Sequence, residues 1–118
     1  MNIGVDIVDI ERFEKALLRH GDRFIKRLFT DREQSYAEKS PAKRLERYAV
    51  RFAAKEAVFK ALPGEKTLSW HDIETLNTED GVPQIYLYNR LKEKYGNLDI
   101  KISFSHSCSQ AIATCLVS

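Results

Sequence analysis

The sequence predicts an α+β fold in which an N-terminal strand and several helices, one of them long and central, pack on an antiparallel β-sheet. Helix-favouring segments fill most of the first half of the chain and strand-favouring segments most of the second half, a segregation typical of this class. The 118 residues suffice for one hydrophobic core without staples, so we expect a single domain over 1–118.

Alternation and capping residues predict the first elements. Residues 2–8 alternate β-branched residues with other side chains, as a strand does. Asp9 can cap a helix that ends at Gly21, and a short helix over 22–29 follows. We therefore expect a strand that leads directly into two consecutive helices.

Start signals predict two more helices. Thr30 and Glu33 have the spacing of a capping box, which predicts a helix over 30–39. Ser40 precedes a proline, and a capping hydroxyl before proline at the first helical position predicts a long helix over 41–62. A proline–glycine pair directly after this segment marks its end.

Turn residues divide the second half into short elements. Glu79-Asp80-Gly81 is a turn signal between two strands. Gly96 closes a short helix, and a polar turn around Cys108 joins the last two strands. The strands are expected at 70–76, 83–87, 99–105 and 110–117, and the helix at 88–95.

Composition argues against several protein classes. No apolar run approaches the ~18 residues of a membrane-spanning helix, and the early acidic residues are unlike a secretory signal. Cys108 and Cys115 lack the companions of a metal site and are interpreted as idle thiols in a reducing cytoplasm. We expect a cytoplasmic protein that does not bind membranes.

The charge is unevenly distributed along the chain. The net charge is +2, from 19 basic and 17 acidic residues, yet residues 10–51 hold 12 of the basic residues and only 7 of the acidic ones. This basic half suits an acidic partner or phosphates. The alternative is an ordinary solvated helix face. Nucleic acid suits it less, because no glycine- or aromatic-rich recognition motif is present there.

Glu56 occupies an unexpected position in the long helix. At ~100° per residue it falls on a stripe of five apolar or aromatic residues that we expect to face the core. A carboxylate in such a place is costly unless something compensates it. The stripe comprises Leu45, Tyr48, Ala49, Phe52 and Phe59.

Asp6 is a second acid that the pattern predicts to be at least half-buried. It lies in the first strand on the same face as Gly4 and Val8. Asp6 and Glu56 together would suit Mg²⁺, which takes carboxylate oxygens along with waters and substrate phosphates. The alternative is that each acid forms a structural salt bridge.

Two basic side chains extend this group. Lys60 follows Glu56 by one helical turn, a spacing that suits a phosphoryl site but also an ordinary helix-stabilising pair. His106 follows a strand, where side chains emerge at the end of a sheet, although a lone histidine is more often structural or merely exposed. No glycine-rich phosphate loop is present.

Six segments together resemble the holo-[acyl-carrier-protein] synthase family, the small bacterial 4'-phosphopantetheinyl transferases. They occur in the family's order and span nearly the whole chain. The glycine-x-aspartate opening, the lysine-glutamate-alanine helix and the serine-histidine strand end are specific as a set. The segments are 4-GVDIVDIERF-13, 28-LFTDRE-33, 51-RFAAKEAVFKAL-62, 69-SWHDIE-74, 81-GVP-83 and 103-SFSHS-107.

The resemblance implies a reaction. Family members transfer 4'-phosphopantetheine from coenzyme A to a serine of apo-acyl carrier protein, releasing adenosine 3',5'-bisphosphate. It implies that Asp6 and Glu56 bind Mg²⁺, that Lys60 contacts the phosphates, and that Arg51 and His106 help to bind coenzyme A. Glu56, or a water on the metal, is the candidate base. Glu56 and Lys60 are thus the candidate catalytic residues.

The resemblance also implies partners. The carrier proteins are acidic and by similarity dock on the first helix, so Arg12, Arg19 and Arg23 are the candidate docking residues. The family is usually a homotrimer in which each active site is built across a subunit boundary. These implications place the protein in fatty acid biosynthesis, a part of lipid metabolism.

A second class of function competes with the transferase: a non-catalytic module that binds an acidic protein through its basic helices. The inward-facing pair Asp6 and Glu56 discriminates between the two hypotheses. A binding module gains nothing from burying two acids, whereas an enzyme that uses Mg²⁺ requires them. We therefore favour the transferase.

Overall fold

The computed structural model describes residues 1–118 and confirms the predicted α+β class. The first half of the chain forms one strand and three helices, and the second half forms four strands and one short helix. The elements are β1 (Asn2–Asp9), α1 (Ile10–Leu28), α2 (Asp31–Glu38), α3 (Arg44–Ala61), β2 (Ile73–Asn77), β3 (Pro83–Leu87), α4 (Asn89–Tyr95), β4 (Ile100–His106) and β5 (Gln110–Val117).

The strands form two antiparallel sheets rather than the one that was predicted. The larger sheet has the order β1-β5-β4, and the smaller one pairs β2 with β3. Helix α3 contacts all three strands of the larger sheet on one side and β2 on the other. The long helix therefore lies between the sheets and is the element on which both converge.

The N-terminal helices begin where the sequence predicts. The Asp9 carboxylate accepts a hydrogen bond from the Arg12 amide at 3.2 Å, which caps α1. Gly21 has φ 61° and ψ −143°, so it interrupts the helix with a kink, and the segment continues to Leu28. The break predicted at Gly21 is confirmed, because only glycine adopts such backbone angles readily.

The start of α2 is confirmed, whereas the start of α3 differs from the prediction. Thr30 and Glu33 form the predicted capping box, each side chain bonded to the other's amide. Residues 41–43 form a 3₁₀ turn, and α3 begins only at Arg44. The Ser40 hydroxyl makes no capping hydrogen bond, so the first helical turn closes in the tighter 3₁₀ form.

The second half agrees closely with the predicted elements. β3 and β5 have the predicted bounds, and β4 and α4 begin one residue later than predicted. Only the first strand of this half is misplaced: residues 70–72 form a 3₁₀ turn, and β2 begins at Ile73. The Gly96 amide closes α4 by donating to the Lys92 carbonyl at 2.8 Å.

Alanine dominates the buried surface of α3. Its small side chains let the helix backbone approach both sheets closely, while larger apolar residues from α1 and the strands complete one continuous core. None of the four helices combines the length and apolar character needed to cross a membrane. The fully buried alanines of α3 are Ala49, Ala53, Ala54, Ala57 and Ala61.

β1 turns its smaller and more polar side chains toward α3. Gly4 and Val8 are buried, and Asp6 between them is half-buried. A Cβ atom added at Gly4 would overlap the carbonyl oxygen of Ala57, so strand and helix meet at a separation that only glycine allows. Ile3, Val5 and Ile7 consequently lie on the outer face of the sheet, where they are exposed.

We expect Gly4→Ala to destabilise the fold by about 2–3 kcal/mol, because the added methyl group forces β1 and α3 apart in a packed core. Urea unfolding followed by circular dichroism measures the change. Asn2→Ala, on the same strand but exposed, is the control and should stay within about 0.5 kcal/mol of the parent. Equal stabilities of both variants would contradict the close contact.

Candidate active site

The β1–α3 contact brings Asp6 and Lys60 together. The Lys60 ammonium donates to the Asp6 carboxylate at 3.0 Å and to the Val5 carbonyl at 3.1 Å. The side chain of Asp6 is only 15% exposed and that of Lys60 is 48% exposed, so the ion pair lies at the rim of the core. A strand and a helix far apart in sequence therefore meet through complementary charges.

Glu56 lies one helical turn before Lys60 and is half-buried, as the stripe pattern predicts. Burial raises the pKa of the Glu56 carboxyl above its usual value, and the negative charge of Asp6 raises it further. The positive charge of Lys60 opposes both effects. Asp6, Glu56 and Lys60 therefore interact electrostatically as one group, hereafter the acidic cluster.

The acidic cluster fits a hard divalent cation. Two carboxylates share a partly desolvated site with a single ammonium, so one negative charge is left without compensation, and additional positive charge would stabilise the group. Carboxylate oxygens are the ligands that Mg²⁺ prefers, and one or two of them suffice when waters and substrate phosphates complete the shell. No larger group of three or more His, Cys, Asp or Glu residues is arranged to hold a metal.

Arg51 lies apart from the acidic cluster in this chain. It is 1% exposed, and its guanidinium donates to the carbonyls of Thr75 and Arg47 and to the side chain of Asn77. It also stacks over the ring of Tyr36. The structure thus gives Arg51 a set of protein partners inside the fold.

His106 is likewise separate from the acidic cluster. It is the last residue of β4, and its Nε2 atom lies 3.4 Å from a carboxylate oxygen of Glu46. Glu46 precedes Glu56 by ten residues on α3, a separation of about 15 Å along a helix. Within one chain, His106 therefore lies near the opposite end of α3 from the acidic cluster.

The three arginines predicted to dock a partner are on α1 and exposed. Arg12 and Arg19 line one shallow depression, and Arg19 and Arg23 line the next along the helix. None of the three forms an ion pair within the chain, although Asp9 accepts the Arg12 amide. Their guanidinium groups form a basic surface, hereafter the α1 basic face.

Sequence reasoning missed a second charged group beside the acidic cluster. Lys55, the residue before Glu56, is fully buried and forms an ion pair with fully buried Glu33 at 2.7 Å. Burial lowers the pKa of Lys55, and the charge of Glu33 opposes this shift. The signal in the sequence was a lysine with three alanines close by, Ala53, Ala54 and Ala57, which a solvated helix face would not require.

Comparison with known proteins decides the family. The model of the 4'-phosphopantetheinyl transferase superfamily matches residues 2–115. A holo-[acyl-carrier-protein] synthase of Gloeobacter violaceus is 44% identical over 116 residues, which cover 95% of this chain and 88% of the relative. The chain belongs to the holo-[acyl-carrier-protein] synthase family. The resemblance seen in the six sequence segments is thereby confirmed.

Other holo-[acyl-carrier-protein] synthases show the same similarity in sequence and in structure. One from Dehalococcoides mccartyi is 45% identical over 113 residues, covering 93% of this chain and 92% of the relative. The crystal structure of the Helicobacter pylori synthase in complex with coenzyme A superposes with a TM-score of 0.84 at 34% identity, covering 98% and 99% of the two chains. The likeness to members of this synthase family therefore extends over nearly the whole fold.

We expect Glu56→Gln to raise the melting temperature of the metal-free protein at pH 7. Folding raises the pKa of Glu56 above its unfolded value of about 4.3. The carboxyl group therefore contributes its full stabilisation below the unfolded pKa, where it is protonated, and loses this contribution as the pH rises through the folded pKa. Glutamine stays neutral throughout, so the difference should shrink toward pH 4. Thermal unfolding in the presence of a chelator measures the difference in melting temperature at pH 7 and at pH 4.

Exposed Glu93 provides the control for this experiment. Glu93→Gln removes the same charge from the surface and should leave the melting temperature unchanged at either pH. A Glu56→Gln variant less stable than the parent at pH 7 would contradict the electrostatic description of the acidic cluster.

Proposed function

We propose that the protein transfers the 4'-phosphopantetheine group of coenzyme A to a serine of apo-acyl carrier protein, in a reaction that depends on Mg²⁺. The observation that carries the proposal is the acidic cluster, whose two carboxylates and one ammonium occupy the motif positions of the family. A desolvated pair of acids beside a lysine has a clear use in phosphoryl transfer and none in a surface that only binds a protein.

The proposed reaction replaces the phosphoanhydride bond of coenzyme A with a phosphodiester bond to the carrier serine. The serine hydroxyl oxygen attacks the phosphorus that carries pantetheine, and the bond from this phosphorus to the bridging oxygen of the pyrophosphate breaks. Adenosine 3',5'-bisphosphate leaves with the bridging oxygen, and the serine proton passes to a base. The coenzyme A bound by the H. pylori relative supports coenzyme A as the donor.

Glu56 is well suited to take the serine proton. Because it would lie beside the pyrophosphate, its carboxylate is a candidate general base, with a water on the metal as the alternative. Its half-buried position on α3 also limits competing solvent. Lys60, exposed at the rim, presents a positive charge to the pyrophosphate and thereby stabilises the charge that develops on the leaving group.

Asp6 and Glu56 are the residues that would hold Mg²⁺. The ion supplies positive charge against the pyrophosphate, which stabilises the leaving phosphate. Within the chain, the Asp6 carboxylate accepts a hydrogen bond from Lys60. With Asp6 holding the ion, Lys60 would be free to contact the phosphates, so metal binding and phosphate binding by the cluster are linked.

The α1 basic face is the proposed dock for the carrier protein. Arg12, Arg19 and Arg23 leave three guanidinium groups free for an acidic partner, and exposed Leu18 adds an apolar contact among them. The basic excess of residues 10–51 would speed the encounter with such a partner.

A homotrimer with shared active sites is also part of the proposal. The outer face of the larger sheet exposes a continuous apolar patch across β1 and β5, which a neighbouring copy would cover. Within one chain His106 lies far from the acidic cluster, whereas a trimer could bring a neighbour's His106 beside it across the subunit boundary. The patch comprises Ile3, Val5, Ile7, Ile112 and Leu116.

The remaining parts of the proposal concern the cell. We place the reaction in the cytoplasm and in fatty acid biosynthesis, where acyl carrier proteins require the phosphopantetheine arm. The two cysteines are free, one buried and one exposed, which is consistent with a reducing compartment.

The mass of an apo-acyl carrier protein tests the proposed reaction. Incubation with this protein, coenzyme A and Mg²⁺ should add the mass of one phosphopantetheine arm, and a chelator should prevent the gain. Glu56→Gln should reduce the rate by at least about 10³-fold while the protein stays folded. Full activity in chelator would contradict the dependence on Mg²⁺. No mass gain of the carrier protein with the folded parent enzyme would favour the non-catalytic binding module.

Arg19→Glu tests the docking surface. The reversed charge should raise the KM for the carrier protein at least about tenfold and leave the KM for coenzyme A within a factor of two, because only the carrier contacts α1. Lys94→Glu also reverses a positive charge, at an exposed position of α4, and serves as the control. An unchanged carrier KM in Arg19→Glu would exclude the α1 basic face as the dock.

A further inference from the structure

The buried ion pair of Lys55 and Glu33 is fully satisfied. The Lys55 ammonium contacts the Glu33 carboxylate and donates to the carbonyls of Trp70 and Ile73, all at 2.7 Å. The other carboxylate oxygen of Glu33 accepts the Thr75 amide, also at 2.7 Å. Both side chains are 0% exposed. This pair, hereafter the anchor pair, therefore links α2, α3 and β2 through directional bonds.

The anchor pair, together with Arg51, hydrogen-bonds to the edge of β2 that no strand pairs with. β2 pairs with β3 on one edge only, which leaves backbone groups on its other edge without strand partners. Lys55 satisfies the Ile73 carbonyl, Glu33 the Thr75 amide, and Arg51 the Thr75 carbonyl. Charged side chains from α2 and α3 thus hold the edge of β2 where a neighbouring strand would otherwise lie.

Two parallel rows of side chains on α3 face the two sheets. Arg51 and Lys55, four residues apart, bond to β2, whereas Glu56 and Lys60, also four apart, form the acidic cluster with Asp6 on β1. Successive residues of a helix are rotated by ~100° about its axis, so the helix fixes the angle between the two rows. A rotation of α3 that breaks the first row displaces the second.

Packing specifies this rotation weakly in the second half of α3, where the acidic cluster lies. Tyr48 and Phe52 in the first half make aromatic contacts with neighbouring elements. From Ala53 onward, however, the fully buried residues other than Lys55 are four alanines and Val58, which offer few large side chains to interlock with the sheets. A rotation of about 20° would move a side-chain end by about 2 Å, given the radius of a helix with its side chains. A displacement of about 1 Å is enough to cost roughly 100-fold in a positioned reaction.

We propose that the anchor pair is a positioning device for the phosphoryl-transfer site: it fixes the rotation of α3 and so directs Glu56 and Lys60 toward Asp6. The inference rests on the proposed function for its consequence in catalysis. Lys55 and Glu33 touch no reacting atom in this scheme and act through Glu56 and Lys60. A buried ion pair contributes little net stability compared with apolar residues of similar volume, so orientation is its more important effect.

Glu33→Asp tests the proposal with the charge retained. The carboxylate is withdrawn by one methylene group, so Lys55 and α3 must shift to keep the contact. We expect kcat to fall at least tenfold with the carrier KM within a factor of two. We also expect the backbone amide shifts of residues 56–60 and Asp6 to change in nuclear magnetic resonance spectra.

Glu38→Asp is the matched control. It shortens another acid of α2 that pairs with α3, through Arg44, but at the end of α3 remote from the acidic cluster. It should leave kcat and the amide shifts of residues 56–60 unchanged. A Glu33→Asp variant with kcat within a factor of two of the parent, and shifts confined to α2 and β2, would overturn the proposal.

A neutral replacement separates orientation from stability if Glu33→Asp does not fold. The double variant Lys55→Met with Glu33→Gln removes both charges together but leaves the carbonyls of Trp70 and Ile73 without a donor, so we expect a lower melting temperature. Measured at a temperature at which the variant is fully folded, its kcat should still fall at least tenfold, whereas a purely structural pair predicts that the folded variant retains kcat. The amide shifts decide the coupling even if the parent shows no transfer, an outcome that would refute the proposed function separately.

Discussion

Contact between β1 and α3 is the constraint on which the candidate site depends. Gly4 lets the strand lie directly against the helix at Ala57, and this approach sets Asp6 opposite Glu56 and Lys60. Any side chain at position 4 would separate the two elements and with them the carboxylates. The opposite side of α3 is held differently, by hydrogen-bonded charges of Arg51 and Lys55 on the edge of β2. Close packing sets the distance, and directional bonds set the rotation.

Electrostatics inside the acidic cluster is unfavourable when the chain is considered alone. Two carboxylates share a half-buried site with one lysine, and the raised pKa of Glu56 reports the resulting cost. Folded proteins tolerate such local conflicts mainly at functional sites, where a ligand removes them. A cation and a pyrophosphate are the ligands whose combined charges fit this group. The same features that strain the free chain therefore suit it to phosphoryl transfer.

Local rules predicted what was local. The capping box of Thr30, the break at Gly21 and the bounds of β3 and β5 follow from signals within a few residues and are confirmed. Strand alternation and helical periodicity were also enough to predict that Asp6 and Glu56 face inward, because both residues lie in regular elements.

Long-range pairing could not be predicted in the same way. The capping box already explained Glu33, so nothing nearby revealed that its other oxygen bonds to Thr75, 42 residues away. The division into two sheets depends on Lys55 and Arg51 covering an edge of β2, which pattern cannot show. The burial of Arg51 follows from the same contacts, and a helical arginine near an apolar stripe gives no local sign of them.

Binding of Mn²⁺, a paramagnetic substitute for Mg²⁺, in the presence of coenzyme A tests most directly whether Asp6 and Glu56 form one site. Electron paramagnetic resonance counts the free ion, so the bound ion per chain follows by difference. We expect the parent protein to bind one ion per chain and Asp6→Asn to bind at least about tenfold more weakly with its fold intact. Unchanged Mn²⁺ affinity in folded Asp6→Asn would show that β1 and α3 do not build a shared metal site.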